Sequence, residues 1–131
     1  MSVSARAFCV PPELIGMFWH EAELLIRKAM ERGDLGKFSE VERMLKEGNA
    51  LLWISADGVA VTHLEIVESG KVCTIVACGG LGIVRGISAI HDIENYAREM
   101  GCKSVRIMGR KGWAKVLTDY RTTKIVLEKE L

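Results

Sequence analysis

The chain has 131 residues, with 18 Lys and Arg against 17 Asp and Glu, a formal charge of +1 and an apolar share of 49%. That length suits one domain, residues 1–131, with a core that needs no disulfide or metal staple. No apolar run approaches the roughly 18–20 residues that span a bilayer. The opening Met1–Cys9 is too short and weakly apolar for a secretory signal, so a cytoplasmic location is expected.

Charge is uneven along the chain. Residues 1–102 carry 10 basic and 14 acidic side chains, residues 103–131 carry 8 and 3. The basic third suits either an anionic ligand or ordinary solvated faces. Cys9, Cys73, Cys78 and Cys102 form no CxxC pair and no metal-ligand spacing. On one strand Cys73 and Cys78 are expected on opposite faces, so reduced thiols are expected throughout.

In chain order, Pro11-Pro12 opens a helix. Ile15, Phe18, Trp19, Ala22, Leu25, Ile26 and Ala29 recur at helical spacing, and Gly33 ends it. A second helix is predicted from Ser39, which with Glu42 forms a capping-box pattern. Val41, Met44 and Leu45 make its apolar stripe, and Gly48 stops it. The period then changes to that of strands. Leu51–Ser55 is the first, Asp57-Gly58 the turn, and Val59–Val67 the second. Ser69-Gly70 turns into a third strand, Val72–Cys78. There Val72, Thr74, Val76 and Cys78 are expected on one face and Cys73, Ile75 and Ala77 on the other, a strand covered on both sides.

Gly79-Gly80 is predicted to turn the chain sharply or to let it approach something closely. A helix capped near Ser88 follows, with Ile90, Ile93, Ala97 and Met100 inward and Gly101 closing it. Lys103–Met108 alternates as a fourth strand. Trp113, Val116, Leu117 and Tyr120 stripe a short helix, and 123–128 alternates as a closing strand. The predicted order is ααβββαβαβ. It forms an α/β (α+β) fold with a mixed, mostly antiparallel sheet of about five or six strands and helices on both faces.

This order resembles the GNAT superfamily of acetyl-CoA-dependent N-acetyltransferases over nearly the whole chain. Leu52-Trp53 before the hairpin, Ile93–Gly101 as the end of the main helix, and Gly109–Trp113 through Leu117 and Tyr120 carry the likeness. The runs 93–117 and 127–131 are similar to small GNAT-like proteins of bacteriophages and prophages, which would place the chain in host cytoplasm or virion. The resemblance implies acetyl-CoA as cofactor. Its pantetheine arm would enter a gap between Val72–Cys78 and Val105–Met108, and its pyrophosphate would sit on backbone N–H groups at the start of the main helix. Cys78, Gly79, Gly80, Arg85, Gly86 and Ser88 would meet it. The family's Q/R-x-x-G-x-G/A turn is altered here. Arg85 is in place, but Ser88 and Ile90 stand where glycine and glycine or alanine belong, and their side chains would crowd a phosphate.

Amine acylation needs a base for the ammonium and an acid for the departing thiolate. Tyr120 is the candidate acid that the resemblance implies, and its position suits core packing equally. Glu65, with His63 two residues away on one strand face, is the candidate base with its orienter, or else a surface pair. His91 could donate to an anion at the helix start. Arg106, Arg110, Lys111 and Lys115 could hold a 3′-phosphate of CoA or nucleic-acid phosphates, though few aromatics interleave them for single-strand stacking. No Ser-His-Asp set, HExxH motif or P-loop is present. Two readings stay open: an acyl-CoA-dependent N-acyltransferase acting on an amine, or a catalytically silent GNAT-fold part of a phage particle or its assembly, with phage structural proteins as partners.

Overall fold

The computed structural model describes residues 7–33, 36–56, 58–80, 83–108 and 112–131, leaving aside the side chains of 32–33, 83–88 and 112. Five strands form one sheet in the order β1-β2-β3-β4-β5. They are β1 Phe8–Cys9, β2 Leu51–Ser55, β3 Gly58–Val67, β4 Gly70–Gly80 and β5 Ser104–Ile107. The first four pair antiparallel, and β5 joins β4 in parallel. A 3-10 turn, Pro12–Leu14, leads into α1, Ile15–Gly33. Helix α2 spans Phe38–Lys46, α3 spans Ile83–Glu99 and α4 spans Gly112–Val116. Among the described residues no helix is long and apolar enough to cross a membrane.

Two apolar clusters form along the sheet. One gathers Ala22, Ile26 and Met30 of α1 and Val41 and Leu45 of α2 with Leu52, Val61 and Ala77. The other gathers Ile90, Ile93 and Ala97 of α3 and Trp113 and Leu117 with Trp53, Cys73 and Ile75. Neighbours Leu52 and Trp53 divide between them because successive strand residues point to opposite faces. Trp53 also donates Nε1–H to Thr62 Oγ1 at 2.9 Å, satisfying a buried donor that would otherwise cost about 1–3 kcal/mol.

Several local expectations are corrected. The two-residue strand β1 carries too short a pattern to be legible; it pairs Phe8 with Ile54 and Cys9 with Trp53. Helix α2 begins at Phe38 rather than Ser39, and no side chain caps it. The Phe38 ring instead packs 5.9 Å from Trp19 and lies under the Arg27 guanidinium at 4.0 Å, so contact with α1 fixes the start that the capping box was expected to fix. Gly58 belongs to β3, opposite Ser55, which moves the hairpin turn one residue earlier; Asp57 lies outside the described residues. Gly79 and Gly80 are strand, not turn, paired with Val59 and Gly58. Helix α3 begins at Ile83, so Ser88 is inside the helix and does not cap it. The closing strand at 123–128 is absent: the chain beyond α4 has no regular structure there and is exposed.

The largest correction is inside β4. Val61 faces Ala77 but Thr62 faces Ile75, which leaves Val76 as an extra residue on β4, a β-bulge. One added residue swaps the faces of everything after it. Ala77 therefore joins the α1–α2 cluster, and Cys78 packs with Cys73 and Ile75 against the α3–α4 cluster. Cys73 and Cys78 share a side of the sheet, contrary to strict alternation, and both are free thiols.

Candidate functional site

The site is built by the way β4 leaves β5. Four rungs pair them, Val72 with Ser104 through Ile75 with Ile107, and the Met108 N–H donates to the Ile75 carbonyl at 3.1 Å. There the ladder ends. β4 continues through Val76–Gly80 with no partner on its β5 side among the described residues. The bulge at Val76 stands at that point, and bulges bend and twist the strand that carries them. The result is a strand edge five residues long whose backbone groups need partners. Helix α3 starts three residues beyond this edge, and its first four N–H groups, those of 83–86, have no partner within the helix.

This arrangement fits an extended amide-bearing chain lying along β4 with its anionic end toward the α3 N-terminus. Cys78, Gly79 and Gly80 are on the open edge. The backbone of Arg85 and Gly86 is in the first turn of α3, whereas the N–H of Ser88 is already taken up by the helix ladder. The side chains of Arg85 and Ser88 fall outside the described residues. Ile90, in the position of the family's last motif residue, is 1% exposed and belongs to the core. Gly79 makes the close approach that the glycine pair suggested, but to protein: a Cβ there would lie 2.6 Å from the Leu25 carbonyl oxygen and 3.2 Å from Ala29 Cβ. Helix α1 crosses directly over this residue.

His63 and Glu65 do form a pair. His63 Nε2 is 3.1 Å from Glu65 Oε1, and both side chains are part-exposed. They share the face of β3 that carries Val61 and hence α1 and α2. His63 sits opposite Thr74, one rung before the ladder ends, and Thr74 sits opposite Arg106 on β5. Paired residues share a face, so His63, Thr74 and Arg106 form a row across three strands. Sequence reasoning placed Arg106 elsewhere and missed Thr74, whose lone hydroxyl in an apolar strand was the available signal. Thr74 is 3% exposed and its Oγ1 has no hydrogen-bond partner among the described residues. A buried hydroxyl left unpaired costs about 1–3 kcal/mol, so this atom is a place for a water or a ligand's polar group.

Tyr120 takes a different position. Its hydroxyl donates to Glu94 Oε2 on α3 at 2.6 Å, and its ring packs against the α3–α4 cluster. Burial first, then the bond to Glu94, push the phenol well above its ordinary value. Held this way it keeps its proton, and an acid role requires it to turn away from Glu94. His91 is exposed on α3 and Lys115 is exposed on α4, while Arg110 and Lys111 are outside the described residues. Among the described residues no cluster of three or more His, Cys, Asp and Glu forms a metal site.

Burial raises the Cys78 thiol from its usual 9.0 to about 11; burial and then the neighbouring Cys102 do the same for Cys73. Neither is an activated nucleophile. Because the folded state favours the protonated thiols, their contribution to stability is complete below about pH 9 and is lost as pH rises through 11. Urea melts across that range are expected to show a steady fall in midpoint, with both thiols slow to react with a thiol reagent at neutral pH.

No protein-family model and no curated protein matches the chain by sequence. Solved structures match it over nearly its whole length. An aminoglycoside acetyltransferase, meta-AAC0020, from an uncultured soil metagenomic sample, in complex with sisomicin, superposes with a TM-score of 0.67 at 11% identity, covering 98% of this chain and 97% of that one. A predicted acetyltransferase from Clostridium acetobutylicum, with acetyl-CoA, gives 0.62 at 12% identity and covers 95% of each. An acetyltransferase of Trypanosoma brucei gives 0.60 at 13% identity, covering 96% of this chain and 99% of that one. At these identities the likeness establishes the fold: this chain has the GNAT fold of those acetyltransferases.

Proposed function

We propose that the protein is an acyl-CoA-dependent N-acyltransferase of the phage or prophage type, acting on an amine. The observation that carries this reading is the end of the β4–β5 ladder at Ile75, with the bulge at Val76 and an open strand edge running toward the α3 N-terminus. An acyl-CoA bound there would supply the activated acyl thioester. The Val76–Gly80 backbone would pair with its pantetheine amides, and the N–H groups of 83–86 would face its pyrophosphate. One of the fold's relatives was solved with acetyl-CoA and another with the aminoglycoside sisomicin, which supports an amine as acceptor.

On the acceptor side, His63 and Glu65 are a carboxylate–imidazole pair within hydrogen-bonding distance, with His63 one rung from the end of the ladder and Glu65 opposite Val72 at its first rung. Glu65 takes a proton from the ammonium, directly or through one water, and His63 orients it. The unpaired Thr74 hydroxyl and Arg106 shape the same face. Tyr120, once released from Glu94, is the acid for the departing thiolate. The phage setting rests on the likeness of the runs 93–117 and 127–131 to small phage proteins.

A second reading is favoured by one observation. Ile90 lies in the core rather than in a phosphate-binding turn, as expected of a catalytically silent GNAT-fold module that serves phage structural proteins. Thermal melting with and without acetyl-CoA separates the two. At a ligand concentration a hundred times Kd, binding stabilises by about 2.7 kcal/mol, a shift of several degrees. An unchanged melting curve at millimolar acetyl-CoA rejects the enzyme and leaves the silent module.

A further inference from the structure

Two neighbouring side chains on the sheet lack the partners that their burial calls for. Among the described residues, Thr62 and Thr74 are the buried polar ones, 1% and 3% exposed. Thr62 accepts from Trp53, whereas Thr74 Oγ1 has no partner. Among the arginines whose side chains are described, Arg27, Arg43, Arg98 and Arg121 are exposed and only Arg106 is part-buried. Arg27, Arg43 and Arg98 bond to Glu23, Glu47 and Asn95, yet Arg106 makes no side-chain hydrogen bond or ion pair among the described residues. A guanidinium drawn partly out of water without an acceptor is unfavourable, and so is a buried lone hydroxyl. The two stand opposite each other, on one face of β4 and β5.

Both lie at the acyl end of the open edge, not at its phosphate end. They are one rung before the ladder stops at Ile75. Gly80, where β4 ends before α3, is six residues past Thr74, roughly 20 Å along the strand. On the same face, β3 carries Glu65 and His63, two strands or roughly 9–10 Å from β5. Glu65 pairs with His63 and forms no ion pair with Arg106. The face is therefore acidic on its β3 side and basic on its β5 side, with the Thr74 hydroxyl between.

We propose that this face takes an acyl acceptor carrying a carboxylate as well as its amine, a free amino acid. The inference rests on the acyltransferase reading and names its substrate class. The ammonium lies toward Glu65, and the carboxylate lies on Arg106, whose planar fork of N–H donors matches two carboxylate oxygens. The Thr74 hydroxyl donates to the same group. A phosphate, with nearly two negative charges, would exceed the single cation in this row. In the transfer the nitrogen lone pair forms the C–N bond, and the C–S bond breaks with its electrons on the departing sulfur. The nitrogen gives up two protons, one to water through Glu65 and one to that sulfur. The acceptor's carboxylate is unchanged.

The test offers the protein amino acids one at a time, each beside its amide, which keeps the amine and lacks the acid. Thiol release from acetyl-CoA gives kcat and KM, and melting with CoA plus each acceptor reads binding without turnover. The expected result is at least one amino acid preferred over its amide by about 10–100-fold in kcat/KM, the worth of a charged hydrogen bond. The amides and an aminoglycoside, amines without an acid group, serve as slower acceptors. Arg106→Gln is expected to raise KM for that amino acid, leave kcat nearly unchanged and abolish its advantage over the amide. Thr74→Val is expected to raise KM less while raising Tm, since it removes a buried hydroxyl that has no partner in the free protein; a purely structural hydroxyl would lower Tm. Circular dichroism checks that both variants fold. Amides used as well as amino acids, or an advantage that survives Arg106→Gln, overturns the inference and leaves acyl transfer standing. So does a protein that acetyl-CoA stabilises but no amino acid binds. A melting curve that acetyl-CoA leaves unchanged overturns the acyltransferase reading and the inference with it.

Discussion

Replacing Gly79 by alanine is expected to destabilise the protein by about 1–3 kcal/mol, the usual cost of overfilling a packed site. For a chain of this size that is a fall in Tm of roughly 3–10 °C. The cause is geometric: the added Cβ would stand 2.6 Å from the Leu25 carbonyl oxygen, a backbone atom of α1 that cannot swing aside. Either α1 lifts from β4 or β4 moves away from α1, and the second response disturbs the open edge as well. Gly16→Ala in the same helix is the control. Nothing lies within 4 Å of its Cβ, and removing a helical glycine should stabilise by up to about 1 kcal/mol. Scanning calorimetry of both variants should therefore give shifts of opposite sign. Equal shifts would mean that α1 does not cross Gly79 as described.

Glu65→Gln is expected to lower kcat/KM for acyl transfer by about 10²–10⁴, the range typical of losing a positioned base. Stability should stay within about 0.5 kcal/mol, because the side chain is part-exposed and the amide has nearly the same shape. The assay is release of the CoA thiol from acetyl-CoA in the presence of an amine acceptor such as an aminoglycoside. His63→Ala should reduce the rate less, since it removes the orienting partner and leaves the carboxylate. Full turnover by Glu65→Gln would remove the pair from the mechanism and return it to the status of a surface ion pair.

The two expectations fare differently because sequence reports them differently. His63 and Glu65 are two apart on one strand, so their shared face was legible at once, and only their 3.1 Å approach had to come from the structure. Gly79 was legible as a place of close approach, but glycine spacing does not say what approaches; the answer was a helix forty residues and more upstream. Tyr120 was read as part of the last helix's stripe, but α4 ends at Val116 and Tyr120 lies beyond it, its ring still packed with Trp113 and Leu117 in the α3–α4 cluster. Its bond to Glu94 joins residues 26 positions apart, and no local pattern carries it.

What the sequence determined alone is the type and position of the long elements. Helical spacing found α1, apolar runs set off by turn residues found β2, β3 and β4, and Gly33, Gly48 and Gly101 marked where helices stop, because hydrophobic period depends only on which face of an element is buried. Tertiary structure decided the rest. Phe38 starts α2 because α1 offers it a ring and a guanidinium. The bulge at Val76 reverses the faces of Ala77 and Cys78, and the ladder ends at Ile75, because strand pairing is a contest between neighbours on either side of β4. A strand's own residues state what it can bury; which backbone groups find partners, and where an edge stays open for a ligand, depends on segments far away in the sequence.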